Sequence, residues 1–283
     1  MGAQPGRMGT LIRPFAAARP SAADGLVRFT GPPRIAATLI DSLRRVRIPE
    51  TVPGLDVAVA ADARGAEGLV EGRRVWSIAL PAATPVSTLL GQIVGTLTTQ
   101  LRQMLFIHAG TVAFEGRGVI LIGHSGAGKT STVAALVRKG AAYLSDEVAL
   151  LDPATGVVAP FVLPMAVKPW TRRAAGSLPA GRCIVREQGA EFWLPHHVGG
   201  PVAVDTFVLL RSEGSGPRLT PISPAEMLLA ISEHVSSFKQ QHRVREAFTG
   251  FARMLRNARC AAVQASRPAA HADLLATFAR RPT

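Results

Sequence analysis

Cysteine is almost absent from this sequence, which contains Cys183 and Cys260 among 283 residues. Two cysteines so far apart match neither a disulfide framework nor a metal-ligand spacing, so small folds stapled by disulfides or zinc are excluded. Long apolar runs are lacking too, because none approaches the roughly 20 residues that a membrane-spanning helix needs. The first 25 residues also lack the compact apolar stretch of a secretory signal. We therefore expect a cytoplasmic protein that makes no membrane contact.

Acidic residues are also few, with 19 Asp and Glu against 32 Lys and Arg, and the formal net charge is +13. An excess of this size normally suggests nucleic acid as a partner. The basic residues are dispersed, however, in short doublets such as Arg44-Arg45 and Arg172-Arg173, and no basic tract is interleaved with aromatic residues. We expect a solvated basic surface rather than a nucleic-acid footprint.

Hydrophobic residues are plentiful, at 47% of the sequence, which is enough for sizeable cores in one large or two ordinary domains. Residues 1–26 are rich in Gly, Pro and Ala without periodicity and are predicted to be a flexible lead-in. Residues 27–105 are predicted to form a small N-terminal α+β domain. Residues 106–283 are predicted to form an α/β domain with a helical C-terminal part.

Periodicity predicts the elements of the N-terminal domain. Apolar residues at helical spacing predict a helix over 35–46. Short β-prone runs at 55–60 and 75–80 predict paired strands on either side of a glycine-rich turn at 64–72. A longer helical pattern covers 84–105 and is predicted to bridge the two domains.

In the second domain, strands at 107–114 and 119–122 are predicted to pair around a glycine-containing turn. The second strand leads directly into a glycine loop, a helix at 130–138 and a strand at 142–144. This order of strand, loop, helix and strand is the local plan of a mononucleotide-binding unit.

Farther along, 204–210 is predicted to be a buried strand. Ser223, followed by Pro224 and Glu226, combines an N-cap, a first-turn proline and a capping-box acid. This combination predicts a helix that ends near 238. The last forty residues are predicted to be mostly helical.

The glycine loop fits the pattern GxxxxGK[ST] over residues 123–130, and its predicted flanking strand and helix are the context that this motif requires. Glycines allow a tight turn whose N–H groups point inward, and these donors bind phosphate together with the positive helix N-terminus. Lys129 is expected to act in catalysis by reaching the β and γ oxygens, and Thr130 to offer its hydroxyl to Mg²⁺. The positions predicted to bind ATP are Gly123, Ser125, Gly126, Ala127, Gly128, Lys129 and Thr130.

Two consecutive acids, Asp146 and Glu147, follow the predicted strand after this loop. Alone, such a pair indicates a solvent-facing turn, but a cation shared with a triphosphate needs an acid at the end of a neighbouring strand. We therefore expect Asp146 and Glu147 to hold Mg²⁺ together with Thr130, while one acid orients or deprotonates the acceptor. An aspartate of ordinary low pKa suffices, because proton loss is late in a loose transition state.

His108 and Lys168 are two further candidates. A single histidine is more often a packed or surface residue than a catalyst, and Lys168 stands out as one of four lysines in an arginine-rich chain. Four other histidines match no metal-ligand spacing, namely His196, His197, His234 and His242. We predict structural roles for those histidines.

Four segments together resemble, in order, the catalytic domain of HPr kinase/phosphorylase-like proteins, and most closely the shorter homologues that accompany ribosomal-peptide maturation. The segments are 107–110 (IHAG), 118–130 (GVILIGHSGAGKT), 138–147 (RKGAAYLSDE) and 160–168 (PFVLPMAVK). The resemblance covers about 106–240 and does not extend to the N-terminal region.

The resemblance implies a phosphoenolpyruvate-carboxykinase-like P-loop fold that transfers the γ-phosphoryl group of ATP, with Mg²⁺, to a serine hydroxyl. It implies that Asp146 is the general base, that His108 lies near the γ-phosphate, that Glu147 assists Mg²⁺ and that Lys168 faces the phosphates. Glu147 stands where the bacterial enzymes have aspartate, and their Glu-Ile-Arg-Gly signature is not recognisable in this sequence. These departures argue against reverse phosphorylase activity and against HPr as the substrate.

Two functional hypotheses follow. The first is an ATP-dependent serine kinase whose acceptor is a peptide, a small protein or a small hydroxyl metabolite, chosen with the help of the N-terminal domain. The second is an ATP-binding switch or assembly protein that hydrolyses the nucleotide slowly or not at all. Nucleic acid is not expected as a partner, and the oligomeric state stays open, a homo-oligomer included.

Overall fold

The structure, a computed structural model, describes residues 8–10, 26–49, 56–62, 64–79, 85–101, 104–211, 217–234, 244–264 and 268–280. Over these ranges the protein has a mixed α/β fold. The helices described are α1 (Pro33–Leu43), α2 (Val86–Gln100), α3 (Lys129–Arg138), α4 (Pro169–Ala175), α5 (Pro224–Ser232), α6 (Val244–Leu255) and α7 (Pro268–Arg280). Within these ranges, no helix combines the length and the apolar character needed to cross a bilayer.

Strands make up most of the remaining described structure. Those before α2 are β1 (Met8–Thr10), β2 (Leu26–Thr30), β3 (Arg47–Pro49), β4 (Asp56–Ala61), β5 (Gly65–Val70) and β6 (Arg73–Ala79). Those after α2 are β7 (Leu105–Ile107), β8 (Gly110–Phe114), β9 (Arg117–Ile122), β10 (Ala142–Ser145), β11 (Ala149–Leu151), β12 (Val157–Ala159), β13 (Met165–Val167), β14 (Gly181–Glu187), β15 (Ala190–Pro195), β16 (Val202–Arg211), β17 (Arg218–Pro221) and β18 (Arg259–Gln264).

A nine-stranded mixed sheet forms the centre of the larger part, in the order β10-β8-β9-β16-β12-β11-β7, with β18 beside β16 and β17 beside β18. β16 pairs in parallel with both β9 and β18. Along β9, Val119 and Leu121 join the core that contains α3 and α7, whereas Ile120 and Ile122 join the core that contains α5 and α6. This alternation follows from the period of two in a strand, and it gives three layers with helices on both faces.

The N-terminal part is built on a four-stranded sheet in the order β2-β4-β5-β6, with α1 and α2 against it. The Trp76 indole N–H of β6 donates to the Thr96 hydroxyl of α2 over 2.8 Å. The same core continues into the large sheet through Phe106 and Phe161, whose rings meet edge to face at 6.4 Å. α2 therefore lies between the small sheet and one edge of the large sheet, while the division at 105/106 stays a prediction.

A second link fixes the start of α2 from the other part of the chain. The Glu187 carboxylate, at the end of β14, accepts hydrogen bonds from the N–H groups of Val86 and Ser87, at 2.8 and 3.1 Å. These are first-turn donors that no residue within the helix can satisfy. A carboxylate from a distant strand thus caps the helix.

Most predicted elements are present with shifted ends, but the turn predicted at 64–72 is wrong. That segment contains β5, which pairs with both β4 and β6. A side chain at Gly68 would collide with Trp76, since an added Cβ would lie 2.2 Å from the indole ring. The glycine that indicated a turn therefore makes room for the tryptophan on the next strand.

The prediction of a mostly helical C-terminus is wrong in one place, because β18 lies between α6 and α7 and pairs with β16 and β17. α5 begins as predicted, with Ser223 Oγ accepting from the Glu226 N–H over 3.1 Å. It ends at Ser232, and 235–238 lie outside the described residues. The predicted bridging helix ends at Gln100, and Leu105 already begins β7.

The predicted flexible lead-in falls mainly on residues outside the described ranges. Met8–Thr10, which the structure does describe, pairs as β1 with β3.

Candidate functional site

The glycine loop, residues 123–128, connects the end of β9 to the start of α3. Gly126 and Gly128 have φ angles of 85° and 89°, in the left-handed region that residues with side chains rarely adopt. α3 then begins with the Thr132 N–H donating to Gly128 O over 2.8 Å. The preceding N–H groups have no acceptor within the helix, so the loop presents main-chain donors at a helix N-terminus.

Lys129 is held across this loop. Its Nζ donates to the carbonyl oxygens of Gly123 and His124, at 2.6 and 3.1 Å. Burial lowers the pKa of Lys129 from its ordinary value, and the negative charges of Glu147 and Asp146 oppose this effect. An ammonium group has three hydrogens, so one donor remains for a further acceptor near both acids.

Asp146 lies in the core just after β10, with 4% of its surface exposed. Burial, and secondly the charge of Glu147, raise the pKa of Asp146 to about 7, whereas the Thr130 side chain, at the start of α3, lowers it by favouring the charged form of the carboxyl. The expectation of an ordinary low pKa is therefore wrong, because the fold removes this carboxyl from water and makes its ionisation costly.

The Tyr143 hydroxyl acts on Asp146 in the opposite direction, because its hydrogen bond lowers the pKa of the carboxyl. Its oxygen lies 2.8 Å from Asp146 Oδ1 and 2.7 Å from Leu163 O. Burial and the neighbouring Asp146 raise the pKa of Tyr143 well above its usual value, so the phenol keeps its hydrogen. One hydrogen can be donated to one of these two acceptors. Donation to Asp146 stabilises its carboxylate, but burial and Glu147 outweigh this effect on its pKa.

His108 and Glu147 meet next to Asp146. Ser145 Oγ accepts hydrogen bonds from the N–H groups of Glu147 and Val148, at 3.3 and 3.1 Å, and so shapes the turn after β10. His108, between β7 and β8, has its Nδ1 3.0 Å from Glu147 O and 3.4 Å from Glu147 Oε1. A neutral His108 that donates from Nδ1 to this carbonyl keeps Nε2 as an acceptor.

The end of α5 contacts the glycine loop through His124. Its Nε2 lies 3.6 Å from Glu233 Oε2, and its ring centre lies 5.2 Å from that of His234. The ligand atoms of these three residues all lie within 4.8 Å of one another, which is a donor set of the kind that zinc uses. Sequence spacing could not reveal this cluster, since His124 and His234 belong to elements far apart in the chain.

Lys168 lies apart from this group. It is exposed at the start of α4, and its ammonium lies 5.2 Å from the centre of the Trp170 ring. Within the described ranges, no hydrogen bond or ion pair joins the Lys168 side chain to another residue. The expectation that Lys168 faces the phosphates therefore has no contact in its favour.

A cavity of about 610 Å³ lies beside the acid pair. Its walls include His108, Asp146, Glu147, Glu233 and one face of α2. Among the described residues, none from the glycine loop lines it. Its volume is in the range of pockets that hold small molecules. The two acids therefore stand between the glycine loop and this cavity.

Sequence reasoning missed Tyr143, Glu233 and the cavity face of α2. Two signals for them exist in the sequence. Tyr143 is the single tyrosine and lies three residues before Asp146. Gly91 and Gly95 interrupt a helical pattern, where each glycine costs about 1 kcal/mol relative to alanine and therefore indicates a packing or functional reason.

A scan against models of protein families finds no match to this chain, and a search of curated proteins finds none either. The family resemblance rests on the motif residues, and the function has to be inferred from the geometry of the site.

Proposed function

We propose that this protein is an ATP-dependent phosphotransferase of the HPr kinase-like type, which moves the γ-phosphoryl group of ATP to a hydroxyl on a peptide, small protein or metabolite. The main support for this proposal is that residues from separate sequence motifs interact with one another in the fold. Lys129 interacts electrostatically with Glu147 and Asp146, the Thr130 side chain lowers the pKa of Asp146, and His108 contacts Glu147. Such a grouping of a cation, a hydroxyl and two acids at a helix N-terminus matches the requirements of phosphoryl transfer.

The glycine loop acts as the P-loop of this enzyme. Its N–H groups and the N-terminus of α3 bind the phosphates, and the remaining donor of Lys129 reaches a β or γ oxygen. Thr130, Asp146 and Glu147 offer oxygen donors, which are the ligands that Mg²⁺ prefers. When bound there, Mg²⁺ neutralises phosphate charge that develops during transfer.

In the transfer step, Asp146 accepts the proton of the acceptor hydroxyl. The hydroxyl oxygen forms a bond to the γ-phosphorus, the bond from that phosphorus to the β–γ bridging oxygen breaks, and ADP leaves with the electron pair. Tyr143 orients Asp146 through their 2.8 Å contact. His108 is fixed by Glu147 with Nε2 available toward the transferred group. Positioning and charge neutralisation provide most of the catalysis in such a reaction.

The test measures nucleotide binding and phosphate transfer separately. Lys129→Ala should weaken binding of an ATP analogue at least about tenfold, since a charge-assisted contact contributes roughly 1.5–3 kcal/mol. Asp146→Asn should keep that binding and lose transfer from labelled ATP to serine peptides. Lys139→Ala and Asp273→Asn are matched controls, because these residues form an ion pair with each other on α3 and α7. Unchanged binding and turnover in Lys129→Ala would refute the proposal.

The alternative, an ATP-dependent switch without kinase activity, draws on the contact between His124 in the loop and Glu233 at the end of α5. Through this contact a bound nucleotide changes the position of α5 and the surface beside it. ATP hydrolysis that is stimulated by a protein partner, with no phosphate retained on that partner, would favour the switch. Phosphate retained on a hydroxyl would favour the kinase.

A further inference from the structure

The cavity beside the acid pair suggests where the acceptor binds, and this inference rests on the proposed phosphotransferase function. We propose that the cavity is the acceptor site, and that the acceptor is an alcohol on an uncharged or cationic, mainly apolar body. The site therefore selects against anionic alcohols such as phosphorylated sugars.

The position of the cavity carries the first step. Asp146 and Glu147 line it, and the same two acids act on Lys129 of the glycine loop. Glu233 also lines the cavity and lies 3.6 Å from His124 of the loop. The acids thus adjoin both the glycine loop and the cavity, so a hydroxyl in the cavity would meet the transferred phosphate beside them.

One face of α2 forms the wall opposite the acids, and its composition carries the second step. This face consists of Ser87, Leu90, Gly91, Val94, Gly95 and Thr98. A Cβ added at Gly91 or Gly95 meets no atom within 4 Å, so these glycines do not serve close helix packing. Their missing side chains leave room within the cavity, and the buried carboxyl of Asp146 also lines that room. Each of these glycines makes α2 less stable than an alanine would, and each enlarges the cavity.

The chemistry of the remaining walls carries the third step. Val148, Leu163 and Phe192 contribute apolar surface. The charged side chains among the described lining residues are the carboxyls of Asp146, Glu147 and Glu233, with no lysine or arginine among them. An anionic acceptor body would be desolvated beside like charges without a counter-ion. A neutral apolar body gains from burial, and an ammonium group gains from Glu233.

The volume limits the size of the occupant. About 610 Å³ corresponds to roughly 20 water molecules at about 30 Å³ each. This accommodates a small alcohol or a serine with its immediate neighbours in a peptide, but not a folded domain. Both sources share the same chemistry, a hydroxyl on an apolar body, so the experiment includes both.

The experiment fills the cavity from α2. Gly91→Leu and Gly95→Leu each add a side chain where the structure has space, and Thr88→Leu adds the same side chain at an exposed position of α2 outside the cavity. The probes are serine tetrapeptides with apolar, basic or acidic neighbours, and free alcohols that are neutral, amine-bearing or phosphorylated. Binding is measured by calorimetry with a non-hydrolysable ATP analogue present, and transfer is measured with labelled ATP.

We expect neutral or cationic probes to bind the wild-type protein, and both glycine variants to weaken them about tenfold or more, since a filled pocket excludes its ligand. In both glycine variants the affinity for the ATP analogue should stay within about twofold of the wild-type value. In Thr88→Leu the affinities for the probes and for the ATP analogue, and the transfer activity, should also stay within about twofold of wild type. Equal probe binding by the glycine variants, a preference for anionic probes, or binding of no probe by the wild type would each overturn the inference. Probe binding that Gly91→Leu abolishes, without phosphate transfer in the wild type, would uphold the cavity as a binding site for these alcohols but refute the kinase function and the acceptor role.

Discussion

Replacing Asp146 with asparagine should make the stability of the metal-free protein less sensitive to pH. The carboxyl has a pKa of about 7 in the fold, against an ordinary value of 3.8. Because the folded-state pKa is the higher one, the folded protein holds this proton more tightly than the unfolded chain does. The stabilisation is complete below pH 3.8, declines as the pH rises, and is lost above the folded pKa.

The magnitude follows from the two pKa values. Each pKa unit corresponds to about 1.4 kcal/mol, so the whole loss is about 4 kcal/mol, of which roughly 2.5 kcal/mol falls between about pH 5 and about pH 8. Asparagine cannot ionise, yet its amide oxygen can accept from the Tyr143 hydroxyl as Asp146 Oδ1 does. The variant should therefore fold normally and lack this pH dependence.

Urea unfolding at these two pH values, with a chelator and without nucleotide, measures the effect. The unfolding free energy of wild type minus that of Asp146→Asn should fall by roughly 2.5 kcal/mol between about pH 5 and about pH 8. Asp273 is an exposed acid on α7, so the unfolding free energy of Asp273→Asn should change with pH as that of wild type does. If the unfolding free energies of wild type and Asp146→Asn differ by the same amount at both pH values, the assignment of a raised pKa to this carboxyl is refuted.

Five further substitutions at four positions test individual contacts by urea unfolding. Tyr143→Phe removes the hydroxyl between Asp146 and Leu163. It should lower the free energy of unfolding by about 1–3 kcal/mol, because two buried groups lose a partner. An unchanged free energy of unfolding would contradict these hydrogen bonds. Glu187→Ala should lower the free energy of unfolding by about 1 kcal/mol, because the start of α2 loses its cap. Glu187→Gln should lower it less, because one side-chain oxygen can still accept. Equal decreases in the two variants would argue against capping. Gly68→Ala should cost about 1–3 kcal/mol through its clash with Trp76, whereas Gly91→Ala should stabilise slightly.

The parts of the fold that could be predicted are those fixed by nearby residues. The turn at the glycine loop depends on glycines within it, and the start of α5 depends on Ser223 and its contact with Glu226. Both signals act within a few residues, so the sequence pattern alone was enough to predict these two features.

The parts that could not be predicted depend on contacts between distant segments. β18 contains two alanines that favour helix, but burial between β16 and β17 makes it a strand. In the site, the pKa of Asp146 depends on burial that only the assembled fold creates. The cavity likewise requires α2 to approach the acid pair from the N-terminal part of the chain.

The placement of β18 also affects the order in which the protein can assemble during synthesis. β16 lies near the middle of the large sheet, yet one of its parallel partners ends at Gln264, and β17 then pairs only through that partner. Until the ribosome has released this segment, the nascent chain carries a long apolar strand with one open hydrogen-bonding edge. Such edges associate with other chains, so chaperone binding in this interval should improve the yield of folded protein.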